Sequence, residues 1–396
     1  MSVVRTRNHK MSDTEQLLCS LLKTIATEHD YKDCETKLQS FSTEAANHTS
    51  QLHHITLSAT GKDDLKLFAK SAIVNENIRA QTQFEIFETE MFFYSELLKQ
   101  FQEMEKHHNV PTEHRLATVK FYGCNREHLK EILVLEDLSA QGFDIYDRLK
   151  SFDWNHASKA VTELSKLHAL SIAYSKEYPE KFDALYTKLH KDIDNIKSFL
   201  QIIINKTMMV IKGENKVKVG AFLQKVQFDE FKKFHMPSRR PVIAHGDFRA
   251  SNLMHRTRED GQLEVVIIDY QMLQISNPIV DLMYFIFTGS DEEFRAKHYH
   301  QLLDHYYLEL CNALTRLDVD SNEVYPKEDF ECELKKIQPY GLIISLLLLP
   351  MVTVDDGNVR KLDVTDDIND LAINPNELAA TRLNGVINDY VRLGVL

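Results

Sequence analysis

Val242-Ile-Ala-His245-Gly-Asp247-Phe-Arg249-Ala-Ser251-Asn252-Leu-Met254 decides the fold, together with Val265-Val-Ile-Ile-Asp269-Tyr-Gln271 behind it. An apolar strand delivers His-Gly-Asp to a loop, and Asn252 follows Asp247 by five residues. A second apolar strand then delivers Asp269, seventeen residues beyond Asn252. Phosphoryl transfer needs such a set. One carboxylate orients an acceptor hydroxyl and takes its proton, while an amide oxygen and a second carboxylate hold Mg²⁺ against phosphates. Hard oxygen ligands suit Mg²⁺, which keeps waters and takes only one or two protein carboxylates. Singly these residues are commonplace, since an Asp after a strand serves turns and an Asn serves caps. Jointly, with both strands in place, they specify the chemistry.

The Asp-x4-Asn spacing and the later Asp match the catalytic loop and the metal-binding Asp of kinases. Such a site needs a lysine upstream. Leu65-Lys-Leu-Phe-Ala-Lys70 is a strand ending in Lys70, a compact cation for nucleotide phosphates. The helix that follows carries Glu85, Glu88, Glu90 and Glu96. Glu88 and Glu90 flank the apolar stripe of Phe87, Met91 and Tyr94 about equally, so periodicity leaves both open as the lysine's partner. Further on, Ile132-Leu-Val-Leu-Glu136-Asp137-Leu138 is an apolar strand ending where a hinge could offer Glu136 and Leu138 backbone groups to a base edge.

The chain around these motifs has 396 residues, 43% hydrophobic and 27% charged, which is globular composition. It holds only 12 Gly and 9 Pro, so breakers are scarce and helix is favoured. The formal charge of −12 repels a phosphate backbone, so no nucleic-acid partner is expected. Cysteines stand at 19, 34, 124, 311 and 332, none in C-x-x-C spacing, which fits a reducing compartment and a cytoplasmic location. The basic N-terminus has no apolar run behind it, so no secretory leader is expected. The longest near-continuous apolar stretch, 341–354, is 14 residues and contains Pro350; a membrane span needs about 20.

Residues 12–40 read as one or two helices, with Leu17, Leu18, Leu21, Leu22 and Ile25 on helical spacing. Residues 51–74 read as two strands around a Gly61-Lys62-Asp63-Asp64 turn. Residues 82–101 read as helix, with Phe84, Phe87, Met91, Tyr94 and Leu98 on one face. Strands are expected at Leu116–Tyr122 and Ile132–Leu135, helices over 155–233, strands and loops over 241–276. Helices finish the chain, broken near Pro350 and by an acidic loop over 355–370. The order predicts a 1–40 helical extension, a strand-rich lobe over 41–135 and a helical lobe over 136–396, with a ligand cleft between the lobes.

Six collinear segments resemble the ecdysteroid kinase-like family, related to choline and aminoglycoside kinases. They are LKLFAK ending at Lys70, FETEMFFYSEL around Glu90, LVLEDLSAQGF at 133–143, LSKLHALSIAY at 164–174, HGDFRASNLM at 245–254 and IIDYQMLQISNPIVDLMYFIF at 267–287. The likeness extends over about residues 40–350. It implies an α+β, two-lobed protein-kinase-like fold that uses ATP and Mg²⁺ to phosphorylate a hydroxyl of a small molecule. Ecdysteroids are the namesake substrates, and detoxification of foreign compounds is a second role proposed for members. By position the resemblance makes Asp247 the catalytic base and Asn252 and Asp269 the Mg²⁺ ligands. It assigns Lys70 to phosphate and Glu90, four residues before Tyr94, to Lys70. Glu136 and Leu138 become hinge residues, and Asp281 a support for the catalytic loop. His168 reads as a satisfied core histidine.

The chain departs from the family pattern His-Gly-Asp-x-Trp-x-Asn-Asn at Arg249 and Ser251. Arg249 suggests an anionic acceptor. The phosphate loop is glycine-free: Glu44-Ala-Ala-Asn47-His48-Thr49-Ser50-Gln51-Leu52 leaves the Thr49 and Ser50 hydroxyls as donors where glycine amides usually serve. Two rival readings follow. One is a pseudokinase-like binding protein. The other is a choline or ethanolamine kinase, which needs an aromatic or acidic cage for the ammonium.

Overall fold

The computed structural model describes residues 3–4, 12–41, 50–82, 85–236, 239–354 and 367–396. Six strands, β1 (Val3–Val4), β2 (Glu35–Phe41), β3 (Ser50–Ser58), β4 (Leu65–Ala72), β5 (Phe121–Asn125) and β6 (Ile132–Glu136), form one sheet in the order β1-β2-β3-β4-β6-β5. All neighbours are antiparallel except β1 and β2. Gly61, at φ 77°, turns β3 into β4 where the sequence places the turn. The 35–41 segment is a strand, not the helix expected there. Its Lys and Gln suit a helix, but β3 pairs with it residue for residue from Glu35–Ser58 to Phe41–Leu52.

Alternation along β4 divides the sheet into two faces. Leu67 and Ala69 point to the outer face, where α1 (Asp13–Glu28) packs Leu18, Leu22 and Ile25 on them. Burying each of these side chains contributes roughly 1.5–3 kcal/mol. Ser12 and Glu15 close a reciprocal cap that fixes the start of α1. Phe68 and Lys70 fall on the opposite, inner face. There α2 (Glu76–Thr82), α3 (Ile86–Phe92) and α4 (Leu98–His107) follow, with a wide π-turn, Phe93–Leu97, between the last two. Phe84, expected on this apolar face, lies outside the described residues. The strand expected over 116–122 starts only at Phe121. The Leu116 and Ala117 amides donate instead to the Glu105 and Glu163 carboxylates, at 2.7 and 3.2 Å, so no ladder forms there.

The rest is mainly helical. β7 (Asp144–Ile145) leads to α5 (Trp154–Glu177), α6 (Pro179–Lys188), α7 (Lys197–Met208), α8 (Gly213–Lys225) and α9 (Phe228–Phe234). Two small antiparallel ladders come next. β8 (Val242–Ala244) pairs with β11 (Gln274–Ser276), and β9 (Leu253–Thr257) lies between β7 and β10 (Leu263–Ile267). Then follow α10 (Pro278–Gly289), α11 (Glu292–Arg316), α12 (Ser321–Val324), α13 (Lys327–Ile337), α14 (Pro339–Val352) and α15 (Glu377–Arg392). Every residue of α10 is buried. Among the described residues no single helix is long and apolar enough to cross a membrane. The pair α13 and α14 meets that test only as a combination bent by 49°, and α14 is largely buried in this fold.

Pro350 does not break its helix, which runs on to Val352. Proline has no N–H for the Leu346 carbonyl one turn back. Thr207 of α7 supplies the missing donor, its Oγ1 lying 2.9 Å from that oxygen. Thr207→Val is therefore expected to leave a buried carbonyl unpaired and to cost about 1–3 kcal/mol. Thermal denaturation should show a lowered Tm for Thr207→Val and a near-normal one for Thr207→Ser. Equal Tm values for the two would show that this bond does not compensate the proline.

Candidate active site

Inward-facing side chains of β3 and β4 meet the loops after β6, β8 and β10 around a cavity of about 340 Å³. Lys70, Glu90, Glu136, Leu138, Asn252 and Asp269 all line it. Lys70 Nζ lies 2.7 Å from Glu90 Oε2 and 2.6 Å from Asp269 Oδ1. Burial opposes the Lys70 charge, yet Asp269 and Glu90 outweigh it and hold the ammonium above its usual range. Burial pushes the Glu90 carboxyl up, Lys70 pulls it back, and Asp269 adds to the rise. Burial would also raise Asp269, but Lys70 and Arg249 overcome it and keep that carboxyl low and ionised. The geometry selects between the two glutamates left open by periodicity. Glu90 is buried on Lys70, and Glu88 is half-exposed on Arg126.

Three contacts fix the Asp269 loop. Asp269 sits in the left-handed region at φ 67°, which a short polar side chain tolerates. The Tyr270 ring stacks on Phe93, with centroids 3.6 Å apart, and meets Tyr94 edge-on at 5.7 Å. The π-turn lets these two adjacent residues both face Tyr270. His245 Nδ1 accepts the Asp247 N–H at 3.3 Å, so its Nε2–H donates to the Ile268 carbonyl at 3.1 Å, joining the Asp247 and Asp269 loops.

Asp247 stands beside the cavity rather than in its lining. Asn252 Nδ2 donates to its carbonyl at 2.8 Å and to its Oδ2 at 2.9 Å. The Tyr284 hydroxyl donates to Oδ1. Arg249 Nε reaches both carboxylate oxygens, at 3.0 and 3.1 Å. Gly246 precedes Asp247 at φ 78°, and a Cβ there would stand 2.1 Å from the Met272 carbonyl, so only glycine fits. Tyr284 escaped the sequence reading. Its signal was the three-residue step from Asp281, which puts both on one face of α10.

Asp281 is wholly buried. It accepts the His245 and Gly246 amides at 2.7 and 2.9 Å and pairs with His168 Nε2 at 3.1 Å. The other His168 nitrogen meets the Tyr306 hydroxyl at 2.6 Å, so this core histidine is satisfied through Asp281 and Tyr306.

At the hinge end, the Leu138 carbonyl is taken by the Gln141 and Phe143 amides, at 2.9 and 3.2 Å. Its N–H has no hydrogen-bond partner among the described residues. The Glu136 carboxylate is engaged with Gln141 Nε2 at 2.7 Å. The sequence reading also missed an aromatic roof. Phe41 and His54 stack at 4.2 Å beside Phe68, and His54 Nδ1 ties to the hinge through Asp137 Oδ2 at 2.6 Å. Ser50 opens β3 opposite Ala72 and is absent from the cavity lining. Thr49 and the rest of the expected phosphate loop, 44–49, lie outside the described residues.

The donor set fits one hard cation. Asn252 commits its Nδ2 to Asp247, which leaves Oδ1 as an oxygen donor. Asp269 gives Oδ1 to Lys70 and lines the cavity. Among the described residues no cluster of three or more His, Cys, Asp or Glu forms a self-contained metal cage.

The chain belongs to the ecdysteroid kinase-like family, whose sequence model matches residues 44–319. Among curated proteins no sequence match was found. Similar solved structures include a candidate aminoglycoside phosphotransferase from Ralstonia eutropha, 11% identical over 93% of this chain and 98% of that one, with a TM-score of 0.43. The GDP complex of aminoglycoside 2'-phosphotransferase-IIIa is 10% identical over 83% and 99%, at 0.42. A glucosamine kinase in complex with glucosamine, ADP and inorganic phosphate is 10% identical over 97% and 87%, also at 0.42.

Proposed function

We propose that the protein is a cytoplasmic ATP-dependent phosphotransferase that phosphorylates a hydroxyl of a small molecule, an ecdysteroid or sterol-like alcohol or a foreign compound. The supporting observation is the convergence of Lys70, Asn252 and Asp269 on one cavity, with Asp247 fixed beside it through Asn252. In this reading Glu90 holds Lys70 against the nucleotide phosphates, and the Leu138 N–H and aromatic roof receive the base. Asn252 Oδ1 and Asp269 would hold Mg²⁺, which when bound neutralises phosphate charge. Asp247 orients the acceptor hydroxyl and accepts its proton. Catalysis comes from positioning and charge stabilisation, with no covalent intermediate on the protein.

Thermal unfolding with and without magnesium ATP tests this without knowledge of the acceptor. A ligand bound only by the folded state raises Tm by mass action, by about 2.7 kcal/mol of stability at a hundredfold excess over Kd. Wild type is expected to shift with ATP only when Mg²⁺ is present, and Asp269→Ala to lose most of that shift. No shift in wild type at millimolar nucleotide would favour the pseudokinase-like binding protein over the enzyme.

A further inference from the structure

Both oxygens of the Asp247 carboxylate are occupied. Tyr284 and Arg249 take Oδ1, and Asn252 and Arg249 take Oδ2. An acceptor hydroxyl needs one of those positions to pass on its proton. Tyr284 is buried, and Asn252 is buried and doubly bonded to Asp247, so neither is free to withdraw. Arg249 is different. Only its Nε is committed, and its two Nη groups have no hydrogen-bond partner among the described residues. Its side chain is 18% exposed and lies outside the cavity lining, next to Asp247.

The position of this cation is informative. Its charge acts on Asp247, Tyr284 and Asp269. A phosphoryl group in transit passes between the hydroxyl held by Asp247 and the cation site at Asp269. A planar guanidinium with a free Nη edge matches phosphate oxygens and keeps its charge at any working pH.

We propose that Arg249 is a further catalytic residue that binds the transferring phosphoryl group and, in turning its Nη edge to it, uncovers Asp247. This rests on the nucleotide reading of the cavity. The acceptor oxygen forms a bond to the γ-phosphorus as the bond from that phosphorus to the β–γ bridging oxygen breaks. The bridging oxygen leaves with the electron pair as part of ADP, and the hydroxyl proton passes to Asp247. Arg249 stabilises charge on the equatorial oxygens throughout. Without that phosphoryl group, Arg249 stays on Asp247 and covers the base against water.

The test compares Tm shifts given by magnesium ADP with those given by magnesium ADP plus aluminium fluoride, a mimic of the phosphoryl group in flight. Wild type is expected to show a larger shift with fluoride present. Arg249→Gln should keep the ADP shift, which also demonstrates that it folds, and should lose the increment. Arg249→Lys should recover part of it. An increment retained in Arg249→Gln overturns the proposal and returns Arg249 to recognition of an anionic acceptor. A wild-type ADP shift with no increment overturns the proposal alone. No wild-type shift with either ligand overturns the nucleotide reading and this proposal with it.

Discussion

Asp247→Asn is expected to lower phosphoryl transfer by about 10²–10⁴-fold, the usual worth of a positioned general base. The substitution keeps the shape of the side chain and removes its capacity to accept a proton. In the proposed reading the nucleotide contacts do not run through Asp247, since Lys70, Asn252 and Asp269 line the cavity and Asp247 does not. Stabilisation by magnesium ATP should therefore persist in the variant. Some stability is lost, because Tyr284, Asn252 and Arg249 all aim donors at this carboxylate and the new amide adds donors of its own. That mismatch costs about 1–3 kcal/mol and is visible in Tm. Phosphate transfer to the best acceptor of a screen, read beside the ATP-induced shift, separates these effects. Near-normal turnover in a variant that still binds ATP would exclude Asp247 as the base.

The site was most legible where chemistry and short-range order coincide. Asp247 and Asn252 lie in one loop, and the amide that holds the carboxylate is five residues away. Lys70 could be assigned to the inner face from strand alternation alone. Glu90 could not be separated from Glu88 by periodicity, because the choice depends on how α3 is rolled against β4. That roll is set by Phe93 and Tyr94 on Tyr270, a contact between segments far apart in the chain and invisible to a local pattern. The same holds for β2, which pairs along its whole length with β3, and for Pro350, whose unpaired Leu346 carbonyl meets Thr207 from another helix. Arg249 was legible as a departure from the family pattern. Its bond to Asp247 was not, because a two-residue step in a loop does not fix side-chain direction.

Asp281→Ala is expected to cause the largest loss of stability, about 3–5 kcal/mol, by breaking a buried charged network. The loop that presents Asp247 hangs from this residue through the amides of His245 and Gly246, and His168 lies against the same carboxylate. Truncation strands two backbone donors and a histidine in a site with no access to water. Asp281→Asn should cost less, since its carbonyl still serves one amide. Burial pushes the Asp281 carboxyl up, but His168, His245 and the Gly246 N–H together hold it below the usual carboxylate range. A lowered native pKa means the unfolded chain binds the proton more tightly. The contribution is complete above the unfolded value of about 3.9 and is lost as pH falls through the native one. The gap between wild type and Asp281→Asn should therefore be widest near neutrality and narrow progressively below pH of about 4. Urea unfolding across that range measures it directly. A gap that does not change with pH would mean that Asp281 holds the loop by shape rather than by charge.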